Sequence, residues 1–521
     1  GSSTVTGTGY LVGGVGGDIS VADQGSTAAI NLIGASTNPT LTVTGGLDGV
    51  GGAVGLLRSQ YTHSVEITVS SQTDLDRLAV VVEGENDVGG VIGRLLSASN
   101  SNYGNIEPMD FYKNTSNKNI ELKLDVYLNP RTSVTGHGAN VGGAIGNIRT
   151  SGGRFTGYIN VVSRFAADDG AILITGTNNV GGAVGQFESP IPYNDGSGSG
   201  ITVDFTAYPV NVTATITGEA SEANAGGAVG YLTANTAISN NTHFVIKADL
   251  GDSKIVSEGS NVGGVVGNND GSLLSTDITV TLDSDGVIQG GGKVGGAIGK
   301  NFAKKNNGIM NSVTATILGY VTGTGTGVGP SVGSGKWSER RTDIGTGDCI
   351  GGAIGYNHAF IESVNTTIEG TITGDADSVG GAIGYCHSNA SSYWVLNIKT
   401  NLQGNAEIKG IYNVGGSVGK NICNIYNIET TIIGTAHIIG EMRIGGSVGF
   451  ASANPNTGGD TVRDGGSWGR IDKIKTTISA DYALSGDSRI GGCVGQQGDK
   501  WGSGASYTSA ALLKIEAEIN T

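Results

Sequence analysis

The sequence predicts an all-β fold, a parallel β-solenoid of about 13 rungs with open ends, and three observations predict it. The first is a hexapeptide, with its cleanest copy at Val180-Gly181-Gly182-Ala183-Val184-Gly185. Full copies start at Val50, Val88, Val141, Val180, Ala225, Val262, Val294, Ile350, Val379, Val414, Ile444 and Ile490, and a shorter copy starts at Val12. The second is period-two alternation between copies, as in Val364-Asn365-Thr366-Thr367-Ile368. The third is Gly, Asn and Asp punctuation with no helical period, in a chain with 93 Gly among 521 residues. One such unit cannot bury its apolar side, whereas stacked units bury it continuously.

The hexapeptide reads as a strand whose repeated glycines imply close approach of another backbone or a bend. Alternate residues of a strand face opposite sides, so one face would be Val-Gly-Val and the other Gly-small-Gly. The β-branched face suits a core. The small face would be a flat surface for close lateral packing, like the dry interfaces of cross-β assemblies.

The shortest unit runs from Ile350 to Ser378 and holds the hexapeptide, a turn, an alternating run from Ser363 to Thr373, and a Gly/Asp turn. Equivalent runs are read at Val210 to Thr217, Val313 to Ile317, Thr430 to Ile433 and Ile474 to Ile478. The expectation is about three strands per rung, and at ~4.8 Å per rung a rod of roughly 60 Å. A β-propeller is the competing architecture. Hexapeptide intervals of 29 and 30 residues are too short for its four-stranded blades.

A single continuous solenoid is expected over 1–521, with insertions at about 94–140, 301–349 and 451–489. The first carries Tyr103, Phe111 and Tyr112, the second Lys304, Lys305, Lys336 and Trp337, and the third Trp468. At the C-terminal side Leu513, Ile515, Ala517 and Ile519 alternate with Lys514, Glu516 and Glu518. At the N-terminal side Thr4-Val5-Thr6-Gly7 leads into the Val12 copy. Open strand edges recruit further strands. The tail of one subunit and the head of the next are therefore expected to complete one rung, with Val5, Val12, Ile515 and Ile519 as assembly ends.

Composition narrows the function classes. A net charge of −15 argues against nucleic acid and anionic membrane as partners. No apolar run is long enough for a transmembrane helix. Charged residues are 14%, unlike a disordered, highly charged chain. The cysteines, Cys349, Cys386, Cys423 and Cys493, form no CxxC. They are read as buried free thiols or, in an extracellular protein, as a Cys386–Cys423 pair across neighbouring rungs. Cys349 and Cys493 are too many rungs apart to meet, and would be free or link subunits.

Catalytic constellations are not found. The six histidines, His63, His137, His243, His358, His387 and His437, lack zinc-protease spacing and are read as turn or surface residues. Gly333-Ser334-Gly335-Lys336-Trp337 fails as a phosphate loop, because Pro330 stands where Gly is required and Trp337 where Ser or Thr would bind Mg²⁺. Acids at Glu83, Glu85, Asp87, Asp249, Asp252, Asp283 and Asp285 read as turn carboxylates. No cofactor is expected beyond weak divalent cation binding between subunits. Sequons at Asn114, Asn211, Asn240, Asn365 and Asn389 are compatible with surface glycosylation.

Asn261-Val262-Gly263-Gly264-Val265-Val266-Gly267-Asn268-Asn269-Asp270-Gly271 and Ser378-Val379-Gly380-Gly381-Ala382-Ile383-Gly384-Tyr385 resemble the GLUG-type repeat, named for its Gly-Gly-Leu-Val-Gly core. The resemblance covers nearly the whole chain, with Ala where Leu is usual and longer intervals. It implies an extracellular or cell-surface setting and no reaction. In style and composition the chain also looks like the amyloid-like sheath proteins of filamentous methanogenic archaea. The expected function is a non-enzymatic structural protein that assembles with itself, end to end and laterally, into a fibre, cell sheath or S-layer. The alternatives are the stalk of a cell-surface adhesin that binds glycans and, third, a polysaccharide-processing enzyme.

Overall fold

The computed structural model describes residues 2–21, 27–33, 39–59, 63–69, 78–98, 119–127, 129, 131–151, 154–163, 172–188, 201–207, 210–214, 223–233, 244–271, 276–302, 309–324, 349–374, 378–387, 394–451, 470–481, 483–497 and 512–520. Among them there is no helix. Fifty-two strands form four sheets of 13 strands each, and every sheet takes each fourth strand of the chain in order. The chain is a parallel β-solenoid.

We name the four sheets by face. Face A runs from Ser2–Gly7 to Leu484–Ser485, face B from Val12–Gly13 to Ser488–Gly491, face C from Gly16–Val21 to Val494–Gln497, and face D from Thr27–Leu32 to Leu512–Ile519. A rung is thus four strands, A to D, rather than the three expected.

The chain divides into two compact units, Gly1–Val256 with Val265–Asp277, and Ser257–Gly264 with Ile278–Thr521. In the first, Val5, Val43, Val82, Val134, Ile174 and Val212 stack in one column on face A. In the second, Ile288, Val321, Ile372, Ile408, Ile438 and Leu484 do the same. Face D adds Val364, Ile398, Ile428, Ile474 and Ile515 in register. All of these except Val5, Leu484 and Ile515 are buried. Each fully buried aliphatic chain stabilises by about 1.5–3 kcal/mol, and a one-residue slip would turn the whole column outward.

The hexapeptide is a corner, not a strand. In the Ile350 copy, Cys349–Gly351 lies on face B, Ile354–His358 on face C, and Gly352-Ala353 is the bend between them. A Cβ on Gly351 would land on the Ile354 carbonyl oxygen, and one on Gly352 would land on the Gly381 carbonyl oxygen of the next rung. One on Gly355 would come within 2.7 Å of the Val294 amide nitrogen and the Gly299 oxygen. Glycine recurs because backbone from the same and neighbouring rungs occupies the space a side chain would need. All six positions of this copy are buried. The Gly-small-Gly positions are therefore interior, which overturns their expected role as a lateral packing surface.

Two of the alternating runs also divide differently. The run from Ser363 to Thr373 breaks at Glu369-Gly370 into Phe360–Ile368 on face D and Thr371–Gly374 on face A. Val210–Ala214 belongs to face A, whereas the other runs equated with it lie on face D.

The insertions are narrower than expected. Within 94–140 the structure places Asn119–Tyr127 on face D and Ser133–Gly136 on face A. Within 301–349 it places Ile309–Ile317 and Tyr320–Gly323, and within 451–489 Ile471–Ala480. Tyr103, Phe111, Tyr112, Lys304, Lys305, Lys336, Trp337 and Trp468 lie outside the described residues. The intervals between copies vary because a connection can lengthen outside the ladder at little entropic cost.

In the second unit a line of hydroxyls runs through the interior. Thr400 Oγ1 accepts from Ser417 Oγ at 2.8 Å, and Ser417–Thr430, Thr430–Ser447 and Ser447–Thr476 each lie at 2.6 Å. Ser417 and Ser447 are the small residues of their hexapeptides, and all five hydroxyl residues are buried. A hydroxyl placed there needs a partner, and the facing rung supplies it. Ser447→Ala should leave Thr476 without its partner and cost about 1–3 kcal/mol locally. Hydrogen exchange in Asn424–Gly434 and Ile471–Ala480 reads this, and unchanged protection would refute it.

Candidate functional site

The expected assembly residues lie on the first and last described rungs. Each end is a complete four-strand rung: Ser2–Gly7, Val12–Gly13, Gly16–Val21 and Thr27–Leu32 at one end, and Leu484–Ser485, Ser488–Gly491, Val494–Gln497 and Leu512–Ile519 at the other. Each of these eight strands has a neighbouring strand on one side among the described residues.

The expected end residues sit on these rungs. Val5 pairs with Val43 and Val12 with Val50 at one end, while Ile515 pairs with Ile474 and Ile519 with Ile478 at the other. Apolar side chains are exposed there: Val15 at 55%, Ile33 at 71%, Ile490 at 46%, Ile515 at 48% and Ile519 at 62%. In the rung before the last, the Gly446 amide donates to Gly491 O at 3.1 Å, and the Ser447 and Val448 amides donate to Cys493 O at 2.9 Å. The equivalent donors of the last rung, on Gly492, Cys493 and Val494, meet no carbonyl among the described residues.

The cysteines separate into a bonded pair and two thiols. Cys386, on face C, and Cys423, at the bend between faces C and D, form a disulfide across neighbouring rungs. Asn421, in register with Cys386, anchors that bend by donating to Cys423 O at 3.0 Å. Cys349 and Cys493 are outside any disulfide and buried. Cys349 packs with Tyr385, Ile422 and Tyr356, while Cys493, in the last rung, donates to Glu516 O at 3.4 Å.

A patch on face C was not foreseen. Register aligns Lys300, Tyr356, Tyr385 and Lys420 in one column. Two residues further along each strand stand Phe302, His358, His387 and Ile422. The Phe302 and His358 rings stack at 4.7 Å, His358 and His387 at 5.2 Å, and Lys420 Nζ lies 4.8 Å from the Tyr385 ring centre. His358 and Tyr385 are buried, and the Tyr385 hydroxyl and His387 Nδ1 are buried without a hydrogen-bond partner among the described residues. Burial pushes the Tyr356 and Tyr385 hydroxyls well above the ordinary tyrosine range. Burial lowers His358, and burial, then His358 and Lys420, bring His387 down to about 4.

Each histidine had been read alone as a turn or surface residue. The legible signal was shared offset: Tyr356 and Tyr385 directly follow a hexapeptide, and His358 and His387 come two residues later. Of the other histidines, His137 meets Glu83 at 3.0 Å and His437 meets Glu407 at 3.7 Å.

Both patch histidines are held neutral, which sets a sign for pH. Above about pH 6.5 neither the folded nor the unfolded chain protonates them. As the pH falls from there towards 4, the unfolded chain takes up protons and the fold does not, so stability is lost through that window. Partial exposure of His387 moderates the loss. His387→Asn should flatten the profile between pH 6.5 and 4 in thermal melts, and an unaltered slope would refute the assignment.

No three His, Cys, Asp or Glu side chains converge to hold a metal among the described residues. Among the described residues no helix is long and apolar enough to cross a membrane. Comparison with protein-family models, curated proteins and solved structures returns no match.

Proposed function

We propose that this chain is an extracellular structural subunit that self-assembles by strand stacking into a fibre, sheath or surface layer. The observation that carries the reading is the set of four parallel ladders of 13 strands, built on one repeated corner with aliphatic columns in register. Ladders of this kind take up further strands through the same backbone hydrogen bonds. Additional support comes from the Cys386–Cys423 disulfide, since such bonds persist in oxidising surroundings. The GLUG-like repeat points to the same setting.

Sedimentation of the purified chain over a concentration series, with electron microscopy of the same samples, tests the proposal. Species growing by whole subunits into filaments or rings are expected. A single species at every concentration under near-native conditions would end it, and would favour the stalk reading.

A further inference from the structure

We infer that the face C patch is an acid-operated latch over the Cys386–Cys423 bond: when His358 and His387 take up protons, these rungs open locally and admit a reductant. The latch belongs to the single chain and holds whether or not copies associate.

A strand with two sides carries it. Alternate residues of a strand face opposite ways. In Ile383–His387, Tyr385 and His387 belong to the patch, while Cys386 between them is in register with the buried Asn357 and Asn421 and bonds to Cys423. Cys423 directly follows Ile422, which packs with Tyr385 and Cys349. Both bonded cysteines are buried, so a reductant reaches the sulfurs only if the strand leaves the ladder.

The bond also stands in for a hydrogen bond. Asn357 Nδ2 donates to Ala359 O and Asn421 Nδ2 to Cys423 O, each at 3.0 Å, and each tie holds the bend from face C to face D. In the rung between them Cys386 occupies the asparagine position. There the disulfide replaces the tie.

The patch offers a proton no counter-charge. Lys300, Tyr356, Tyr385 and Lys420 flank the two histidines on face C. Lys293 and Cys349 are the titratable residues of the face B strands that lead into these corners, and Arg443 lies over Phe450 in the rung beyond. None of these face B and face C strands carries Asp or Glu, and Glu362 stands past the bend on face D. The charges that act on His387 are His358 and Lys420, and both oppose its protonation. A proton on either ring adds a cation beside Lys420, with the two rings 5.2 Å apart. The Tyr385 hydroxyl and His387 Nδ1 have no hydrogen-bond partner among the described residues, so the closed patch gives the imidazolium no acceptor at Nδ1. Water supplies solvation and acceptors once the strand parts.

The test is reduction of the intact chain by tris(carboxyethyl)phosphine, which becomes its oxide with oxygen from water while the disulfide gains two electrons and two protons. Thiols are counted by alkylation after denaturation: two before reduction, Cys349 and Cys493, and four after it. Each rate is divided by that of the urea-unfolded chain at the same pH, which removes the reagent's own pH dependence. The ratio should be at least about tenfold higher at about pH 4.5 than at about pH 7. His358→Asn with His387→Asn should abolish the rise, and His387→Lys should speed reduction already at about pH 7. Hydrogen exchange at about pH 4.5 should quicken in Ile383–His387 while Thr276–Leu282 stays protected. A ratio independent of pH, or a rise that survives in the double asparagine variant, overturns the latch. Equal loss of protection in both strands would mean global unfolding and overturns it as well.

Discussion

Gly352→Val should disrupt the second unit. The new Cβ would coincide with the Gly381 carbonyl oxygen, and the Ile368 side chain stands 3.1 Å away. Overpacking a well-filled core typically costs about 1–3 kcal/mol. Here the obstacle is backbone of the next rung, so the ladder itself must part, and about 3 kcal/mol or more is expected. Circular dichroism melts and hydrogen exchange in Cys349–Gly351 and Ser378–Gly380 measure the loss. The contrast is Gly492→Val, the same motif position in the last rung, where the space is open. If both variants melt alike, the corner explanation of the repeated glycines is wrong.

Removal of the Cys386–Cys423 bond is the second large effect. The bond joins positions 37 residues apart. Closing a loop of that length stabilises by about 4 kcal/mol in the chain-entropy description. Cys386→Ser with Cys423→Ser, or reduction of the parent chain, should therefore lower the melting temperature of the second unit. Protection should fall first in Ile383–His387 and Val418–Ile422. A repeat array need not unfold in one step, so local exchange is the cleaner measure. An unchanged profile would mean that the strand ladder alone holds those rungs.

Thirteen rungs, parallel strands and the absence of helix were legible from residues alone. The hexapeptide is short, local and repeated, and Val43 and Val134 each fall seven residues before a copy and Val82 six. Such a signal needs no knowledge of distant contacts. The repeated glycines pointed to a bend or a close backbone approach, but the corner itself was hidden because a Gly-Gly bend flanked by Val residues keeps the alternation of a strand. Only the clash of an added Cβ with the backbone of the next rung distinguishes the two. That misreading also merged two strands of a rung into one, and made three faces of four.

Side-chain columns were out of reach for a related reason. Ser417 and Thr430, or His358 and His387, become neighbours only once register sets rungs tens of residues apart side by side. The residue pattern by itself determined that this chain is a stack of β rungs, because alternation and glycine spacing act over a few residues. Tertiary structure decided where each rung turns and which polar groups meet inside it, because those depend on backbone and side chains brought together across the stack.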